Sequence, residues 1–560
     1  MTDAFPIALV GPSSKERKYD RQLRLWAASG QQALEQSRVL LVNSDGPIGG
    51  ENTSIGGVAG VETLKNLVLP GVGGFTIVDP AIVTETDLGV NFFLEESSLG
   101  KSRAQETCTY LKELNPDVDG DYKAEPISEL LQQADFLSAY KLIVVSGPIK
   151  RSSLDALSLS ADQLGVPLMY TRSVGFYSSF SLQLPSEFPI VETHPDPEST
   201  QDLRLLNPWP ELQSAGSAIT DLDALDDHDH GHVPYILILL HYLEKWKAEH
   251  DGKVPENYKD KTAFREFVRA GARTNTAEGG EENFDEAVGA VLKSINPWSL
   301  RSNIREIFDM EQCKNLQRDS DNFWIIAAAL KEFYAKHTVL PLPGSVPDMK
   351  AKSADYISLQ NIYKSKASRD IKEVLETVRA LEAQLGSRTV PVAEKEIEVF
   401  CKNASHVKVI HGRRIPHITI DASQTLKAIR FGFGNPESVI SVYIAFEALD
   451  AIVDGIQNGR LPASALDDDA TWDTTLSRLI TTIAEDDKSF LEDEASVRES
   501  VRNAAKELRR TEGGELHNIS SLTGGLVSQE ALKVLTRQYV PLDNTCIFDG
   551  IGSRSEMFHL

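Results

Sequence analysis

A parallel α/β sheet domain interrupted by a long helical insertion is the fold class that this sequence predicts, and three observations predict it. Over the first 170 residues, short β-branched runs alternate with helical patterns; from about 230 to 510 the pattern is almost wholly helical; and the C-terminal tail returns to one helix followed by a short strand. Strands that read as unbroken apolar runs belong to sheets covered on both faces, and their alternation with helices gives parallel crossovers. At 560 residues the chain exceeds what one hydrophobic core supports, so two to four domains are expected.

The first-half strands are expected at "RVLLVN" (38–43), "GGFTIVD" (73–79), "KLIVVSG" (141–147) and "VPLMYTR" (166–172). Between them lie the helical stretches "GVETLKNLVLP" (60–70), "GKSRAQETCTYLKELN" (100–115) and "SSLDALSLSADQLG" (152–165). The insertion carries apolar residues at three- and four-residue spacing in "PYILILLHYLEKWKAEH", "DNFWIIAAALKEFYAKH", "DYISLQNIYKSKASRDIKEVLETVRALEAQL" and "PESVISVYIAFEALDAIVDGIQNG". Pro234 suits a first helical turn, where its missing N–H costs nothing, and Asn458-Gly459 is a helix stop. In the tail, "ISSLTGGLVSQEALKVLTRQ" reads as a small-residue helix and "NTCIFDG" as the strand that completes the sheet. The expected division is therefore 1–170 for the first part of the sheet domain, 171–505 for the helical insertion and 506–560 for the remainder.

Composition excludes several function classes. With 82 Asp+Glu against 57 Lys+Arg the net charge is −25, a surface that repels nucleic acid and anionic lipid. No apolar run reaches a membrane span, "YILILLHYL" being about half of one. The N-terminus lacks the layout of a signal peptide. Cys108, Cys313, Cys401 and Cys546 lie far apart without a CxxC pair, which argues against structural zinc and disulfides and for a reducing compartment.

The stretch "LLVNSDGPIGGENTSIGGVAGVETLKNL" (40–67) has the strand, glycine-rich loop and helix order of a phosphate cradle. Its glycines at 46, 49, 50, 56, 57 and 60 are spread over fifteen positions, and Ile55 stands where a compact motif would begin. The loop reads as the relic of a phosphate-binding loop. "DDHDHGH" (226–232) alternates His228, His230 and His232 with acids, either as a metal site or as a helix entry capped by an aspartate; without a fourth ligand at set spacing, no metal site is assigned.

"KYDRQLRLW" (18–26), "VETLKNLVLPGVGGFTIVD" (61–79), "NFFLEESSLGKSRA" (91–104) and "HNISSLTGGLVSQEALKVLTRQYVPLDNTCIFDG" (517–550) together resemble the Rossmann-like adenylation fold (ThiF/MoeB type) of ubiquitin-like-protein activating enzymes. The likeness is greatest to the regulatory subunits of the heterodimeric enzyme of neddylation. It extends through the middle by "FPIVETHPDP", "DHGHVPYILIL" and "SADYISLQNIYKSKASRD". This resemblance implies a mainly helical insertion like a catalytic-cysteine domain but lacking the cysteine. In active members an acid binds ribose, an Asn/Arg pair and a Lys handle phosphates, and a later Asp holds magnesium. Asp79 and Lys101 stand as relics of the ribose acid and the lysine, whereas Gly89 and Val90 replace the Asn/Arg pair and Gly147 and Pro148 fall where the Asp would be.

The resemblance thus implies a subunit that binds no cofactor or metal itself, with ATP and magnesium in an obligate catalytic partner that also carries the ubiquitin-fold domain. None of the four cysteines matches the family's catalytic loop. Arg21 is expected to reach the partner's ATP phosphates in trans; the alternative is that Arg21 and Arg24 pair with surface acids. Dimer contact is expected through the first-half surface and the small residues of "SSLTGGLVSQE", and the helical middle is expected to help bind the ubiquitin-like protein of neddylation. No nucleic acid or membrane partner is expected, and the compartments are cytoplasm and nucleus. The rival readings are a self-sufficient homodimeric adenylating enzyme and an interaction scaffold.

Overall fold

A computed structural model describes residues 13–46, 57–133, 135–196, 202–219, 221–274, 279–386, 390–418, 423–484 and 494–560. The chain forms two compact units, one made of Met1–Ile190 with Ile410–Leu560 and the other of Val191–Val409.

The first unit is built on an eight-stranded sheet. Six strands come from the first half: β1 (Arg38–Val42), β2 (Gly74–Val78), β3 (Asp119–Lys123), β4 (Leu142–Gly147), β5 (Leu168–Val174) and β6 (Tyr177–Gln183). The tail adds Thr545–Asp549 and Arg554–Phe558, and the spatial order is Arg554–Phe558, Thr545–Asp549, β6, β5, β4, β1, β2, β3. From β3 to β5 the neighbours are parallel; β6 and the tail strands are antiparallel.

Alternation along β1 explains why it is apolar throughout. Val39 and Leu41 join a core with Val61, Leu64, Cys108, Leu111, Val527 and Ala531 of three helices. Leu40 and Val42 point to the other face, among Leu154, Leu157 and Ala161 of helix Arg151–Leu164. Both faces are dry, so no position is left for a polar residue.

The expected strands and helices form close to their assigned limits, with Pro234 one step earlier, as the N-cap of Tyr235–Glu249. Three strands of this sheet escaped the sequence reading, as did the separate pair Phe188–Val191 and Val407–Ile410. β3 ("DGDYK") and Arg554–Phe558 are sheet edges, where one side meets water and polar residues are tolerated. β6 ("YSSFSLQ") is buried throughout, but its serines find partners inside: Ser179 accepts from Arg172 Nε at 3.1 Å and Ser181 lies 2.9 Å from the Thr545 hydroxyl.

The boundaries at 170 and 505 also differ from the structure. Position 170 falls inside β5 and position 505 inside helix Glu494–Arg510. Helices Ile440–Gln457, Asp469–Ala484 and Glu494–Arg510 share a core with Val174, Tyr177, Ile547 and Phe558 of the sheet. Helical periodicity reports which face is buried but not against which domain.

The second unit is mainly helical. Its longest helix, Ser353–Gln384, supplies Leu359, Tyr363 and Ala367 to one apolar cluster and Val374 and Val378 to another. Within it, Tyr363 donates to the Leu203 carbonyl at 2.8 Å.

The small residues of helix His517–Thr536 divide: Ser520, Thr523, Gly524 and Ser528 face inward, whereas Ser521 and Gly525, of the stretch expected at a dimer surface, are half-buried. A Cβ on Gly524 would lie 2.6 Å from Glu62 Cβ and 2.8 Å from Glu62 and Thr63 backbone atoms. Ser520 and Ser528 are buried with it, and Ser520 donates to Ser173 at 2.9 Å. The close approach serves helix Val58–Val68 of the same chain. Gly525, one residue on, has nothing within 4 Å of a built Cβ. Adjacent substitutions should therefore have opposite signs. Gly524→Ala should destabilise the chain by roughly 1–3 kcal/mol through overpacking, whereas Gly525→Ala should be neutral or stabilise by up to about 1 kcal/mol. Urea denaturation of both variants checks this, and equal effects would remove the case for a helix crossing set by Gly524.

Candidate functional site

In a sheet of this topology, ligands bind beyond the carboxyl ends of the strands. Here those ends are β1, running into Asn43–Ser44–Asp45–Gly46, β2, running into Asp79, and β4, ending at Gly147. Of the expected glycine loop, Gly49, Gly50 and Gly56 lie outside the described residues. The chain is described again at Gly57, which caps helix Val58–Val68 with φ +111°. Gly60 sits so near the strands that a Cβ would fall 2.2 Å from Ser146 Oγ and 2.6 Å from Leu41 Cδ1. The close helix–strand packing of a nucleotide fold is thus retained.

Its anion position is taken. The Val58 amide donates to Glu515 Oε2 at 2.7 Å and the Ala59 amide reaches Oε1 at 3.5 Å. A helix N-terminus attracts negative charge through unpaired amides and the helix dipole. In this chain the carboxylate comes from Glu515, buried at the start of the tail. Burial pushes the Glu515 pKa up to about 7, against the lowering effect of the two amides and Arg103. Asp45 is also buried: burial raises its pKa, and Ser153 Oγ donates to it at 2.7 Å.

The ribose position is taken as well. Asp79 is fully buried. Its carboxylate accepts from Asn43 Nδ2 at 2.9 Å, Ser44 Oγ at 2.6 Å, Arg103 Nε at 2.7 Å and Nη2 at 3.3 Å, and the Ala81 amide at 3.0 Å. Burial acts to raise its pKa, but the Arg103 guanidinium and the donated hydrogen bonds outweigh this and hold it below the usual range. Arg103 spans to Asp87 Oδ1 at 2.8 Å. An acid with five internal donors has no lone pair left for a ribose hydroxyl.

The remaining positions offer little to a triphosphate. Lys101 is half-exposed and pairs with Glu106 at 3.6 Å. Gly89 and Val90 end the short helix Glu85–Val90 and bring no donor side chain. At Gly147 a Cβ would lie 2.4 Å from the Tyr170 hydroxyl, which donates to Asp450 at 3.0 Å, so a metal-binding side chain has no room there. ATP with magnesium does not fit these residues.

Arg21 lies elsewhere, exposed on helix Asp20–Glu35. Arg24 pairs with Asp20 at 3.0 Å, as the surface-acid alternative expected. Arg21 makes no ion pair among the described residues. Cys108, Cys313 and Cys401 are buried and Cys546 is half-buried. Burial pushes Cys401 up to about 12 and the other three to about 11, which disfavours the thiolate that a nucleophile needs.

The histidine motif divides. Asp226 caps helix Asp227–His230 by accepting from the Asp229 amide at 2.7 Å. His230 is buried, bonded to Glu281 at 2.7 Å and stacked on Phe284. Asp226, His228 and Asp229 form an exposed group close enough for a cation, but Asp229 pairs with Lys352. The helix entry accounts for the motif.

Arg103 and Glu515 are the functional-site residues that sequence reasoning missed. Asp79, Asp87, Arg103 and Glu515 are separated by up to hundreds of positions, and no spacing rule joins them.

The ThiF family pattern matches residues 19–560. The chain is 35% identical over 554 residues to the NEDD8-activating enzyme E1 regulatory subunit of Danio rerio, covering 98% of this chain and 99% of that protein. It is 36% identical over 558 residues to that of Gallus gallus, covering 98% and 99%. It is 32% identical over 549 residues to the NEDD8-activating enzyme E1 regulatory subunit AXR1 of Arabidopsis thaliana, covering 97% and 96%. The chain belongs to the ThiF family and, within it, to the NEDD8-activating enzyme E1 regulatory subunits.

Proposed function

We propose that this chain is the non-adenylating half of a heterodimeric, ATP-dependent activating enzyme for the ubiquitin-like protein of neddylation. The observation that carries the reading is the self-filled cleft: Glu515 on the amides of Val58 and Ala59, and Asp79 bound by Arg103, Asn43 and Ser44. A triphosphate would have to displace a buried carboxyl group, and Arg103, the cation acting on it, is already held by Asp79 and Asp87. Electrostatic stabilisation of adenyl transfer is therefore absent here. ATP and magnesium belong to the catalytic partner, which would supply the adenylation and thioester chemistry.

This chain's contribution is structural and electrostatic. The sheet unit completes the adenylation dimer, and the helical unit forms part of the wall that holds the ubiquitin-like protein. Arg21 presents a permanently charged, forked donor that suits phosphate oxygens of ATP bound in the partner. Its exposure and lack of an ion pair among the described residues support that role, whereas Arg24 is occupied.

Three measurements test the reading. The purified chain alone should show no ATP–pyrophosphate exchange, and the complex with its catalytic partner should show it; robust exchange by the chain alone would restore the self-sufficient enzyme. In the complex, Arg21→Ala should slow adenylation by an amount worth roughly 2–4 kcal/mol, as for loss of one preorganised donor at a developing anion. Dimerisation should hardly change, and Arg21→Lys should recover part of the rate. Equal exchange rates at sub-saturating ATP and matched dimer concentration would leave the scaffold reading.

The third concerns pH. Folding raises the Glu515 pKa from the ordinary 4.5 to about 7, so the folded state holds this proton more tightly than the unfolded one. The stability it contributes is full below the unfolded pKa and is lost as pH rises through about 7. Glu515→Gln, which stays neutral and keeps an acceptor for the Val58 amide, should become the more stable form as pH rises from about 5 to 8. A shift of this size corresponds to roughly 3 kcal/mol. Denaturant midpoints of the two proteins that run parallel across this range would contradict the buried, amide-bound carboxylate.

A further inference from the structure

Within the helical unit lies a cleft of about 820 Å³, in the size range of small-molecule sites. Its lining reverses the charge of the chain. Five Lys or Arg residues and a single Asp line it, whereas the whole protein has 57 Lys+Arg against 82 Asp+Glu. Half-enclosed walls of low dielectric focus such a field on whatever enters.

The cations come from different elements. Arg204 precedes helix Pro210–Ser217, Lys293 lies near the end of Glu282–Ser294, and Arg301 is the N-cap of Ser302–Asp309. Lys366 lies on Ser353–Gln384, and Lys402 ends Glu394–Lys402. Two of them are compensated: Arg204 by Asp202 at 3.0 Å, and Lys366 by Asp370. Arg301 gives one guanidinium N–H to the Ser405 carbonyl at 3.2 Å, but neither Arg301 nor Lys402 makes an ion pair among the described residues. Among the described residues, two positive charges on the cleft wall therefore lack a counter-charge.

A second observation is independent of charge. Trp209 also lines the cleft; it is only 8% exposed, stacks edge-on against Tyr363, and its buried indole N–H has no hydrogen-bond acceptor among the described residues. Buried donors are nearly always paired, so an unpaired one beside a cavity asks for an acceptor from outside the chain.

We propose that this cleft binds a small molecule carrying several phosphate groups. Phosphate oxygens are acceptors only, match both the guanidinium fork and the ammonium point charge, and suit the vacant indole N–H. One phosphate could satisfy one cation. Cations spread over five elements around a bounded volume select a compact polyanion.

The test is calorimetric titration of the full chain at low ionic strength with inositol hexakisphosphate and, separately, inorganic tripolyphosphate. At least one probe should bind with Kd below about 100 μM and weaken as salt is added. Arg301→Glu and Lys402→Glu should each weaken it roughly tenfold or more, whereas Lys259→Glu, an exposed lysine of the same unit outside the cleft, should bind as the parent does. Trp209→Phe, which keeps the ring and deletes the donor, should weaken binding without changing thermal stability by more than a few degrees. Binding of both probes means that the cleft reads charge alone; binding of the hexakisphosphate alone means that it reads a phosphorylated ring. Absence of binding by either probe, or unchanged binding in both Arg301→Glu and Lys402→Glu, would overturn the proposal.

Discussion

The Arg103 guanidinium, fully buried between Asp79 and Asp87, is the constraint on which the rest of the sheet unit depends. It ties the end of β2 to helix Glu85–Val90 and to the first turn of helix Arg103–Leu114. Taking three charges out of water is costly, and such a group holds together only when every donor and acceptor is met. Here the acid is met by Asn43 and Ser44 from the end of β1 as well as by Arg103. Removing Arg103 would leave two buried carboxylates without their cation, a loss of roughly 3–5 kcal/mol in comparable buried pairs. Asp79 is thereby a keystone of the fold, its carboxylate oxygens engaged by five donors of the chain itself.

Glu515 extends the same logic across the insertion. It meets the helix that follows the first strand from 457 positions away in sequence. The contact closes the sheet unit, since Glu515 also bridges to Gly175 at the end of β5. A helix N-terminus inside a protein needs an acceptor for its amides. An enzyme that binds nucleotide leaves that need to the substrate; a chain that does not must answer it internally. In this chain Glu515 meets it, on the amides of Val58 and Ala59.

Much of this was legible in the sequence, and the rest was not for definable reasons. β1, β2, β4 and β5 were readable because burial on both faces makes them apolar without interruption. β3 and β6 were not, because one is a polar edge and the other buries serines that only tertiary partners satisfy. The domain limits failed at 170 and 505 because helices such as Ile440–Gln457 look alike whether they pack on helices or on a sheet. Asp79 could be singled out only through the family resemblance, which sets an acid at the end of the second strand. That Arg103 and Glu515 fill the cleft could not be read, since the pairing is a property of the folded topology.

What remains outward completes the argument. On the N-terminal helix, Arg24 is held by Asp20 one turn away, as an i,i+4 pair, while Arg21 has no such acid in reach among the described residues. In a chain of net charge −25, a solvated arginine without a partner costs little, because water serves it as well as a surface carboxylate would. It also keeps its fork available. The sheet unit thus separates its charges by depth: the carboxyl groups of Asp79 and Glu515 are turned inward onto internal donors, and a cation suited to phosphate is left at the surface. On the function proposed above, that separation is what would let Arg21 act on a nucleotide held by the partner subunit.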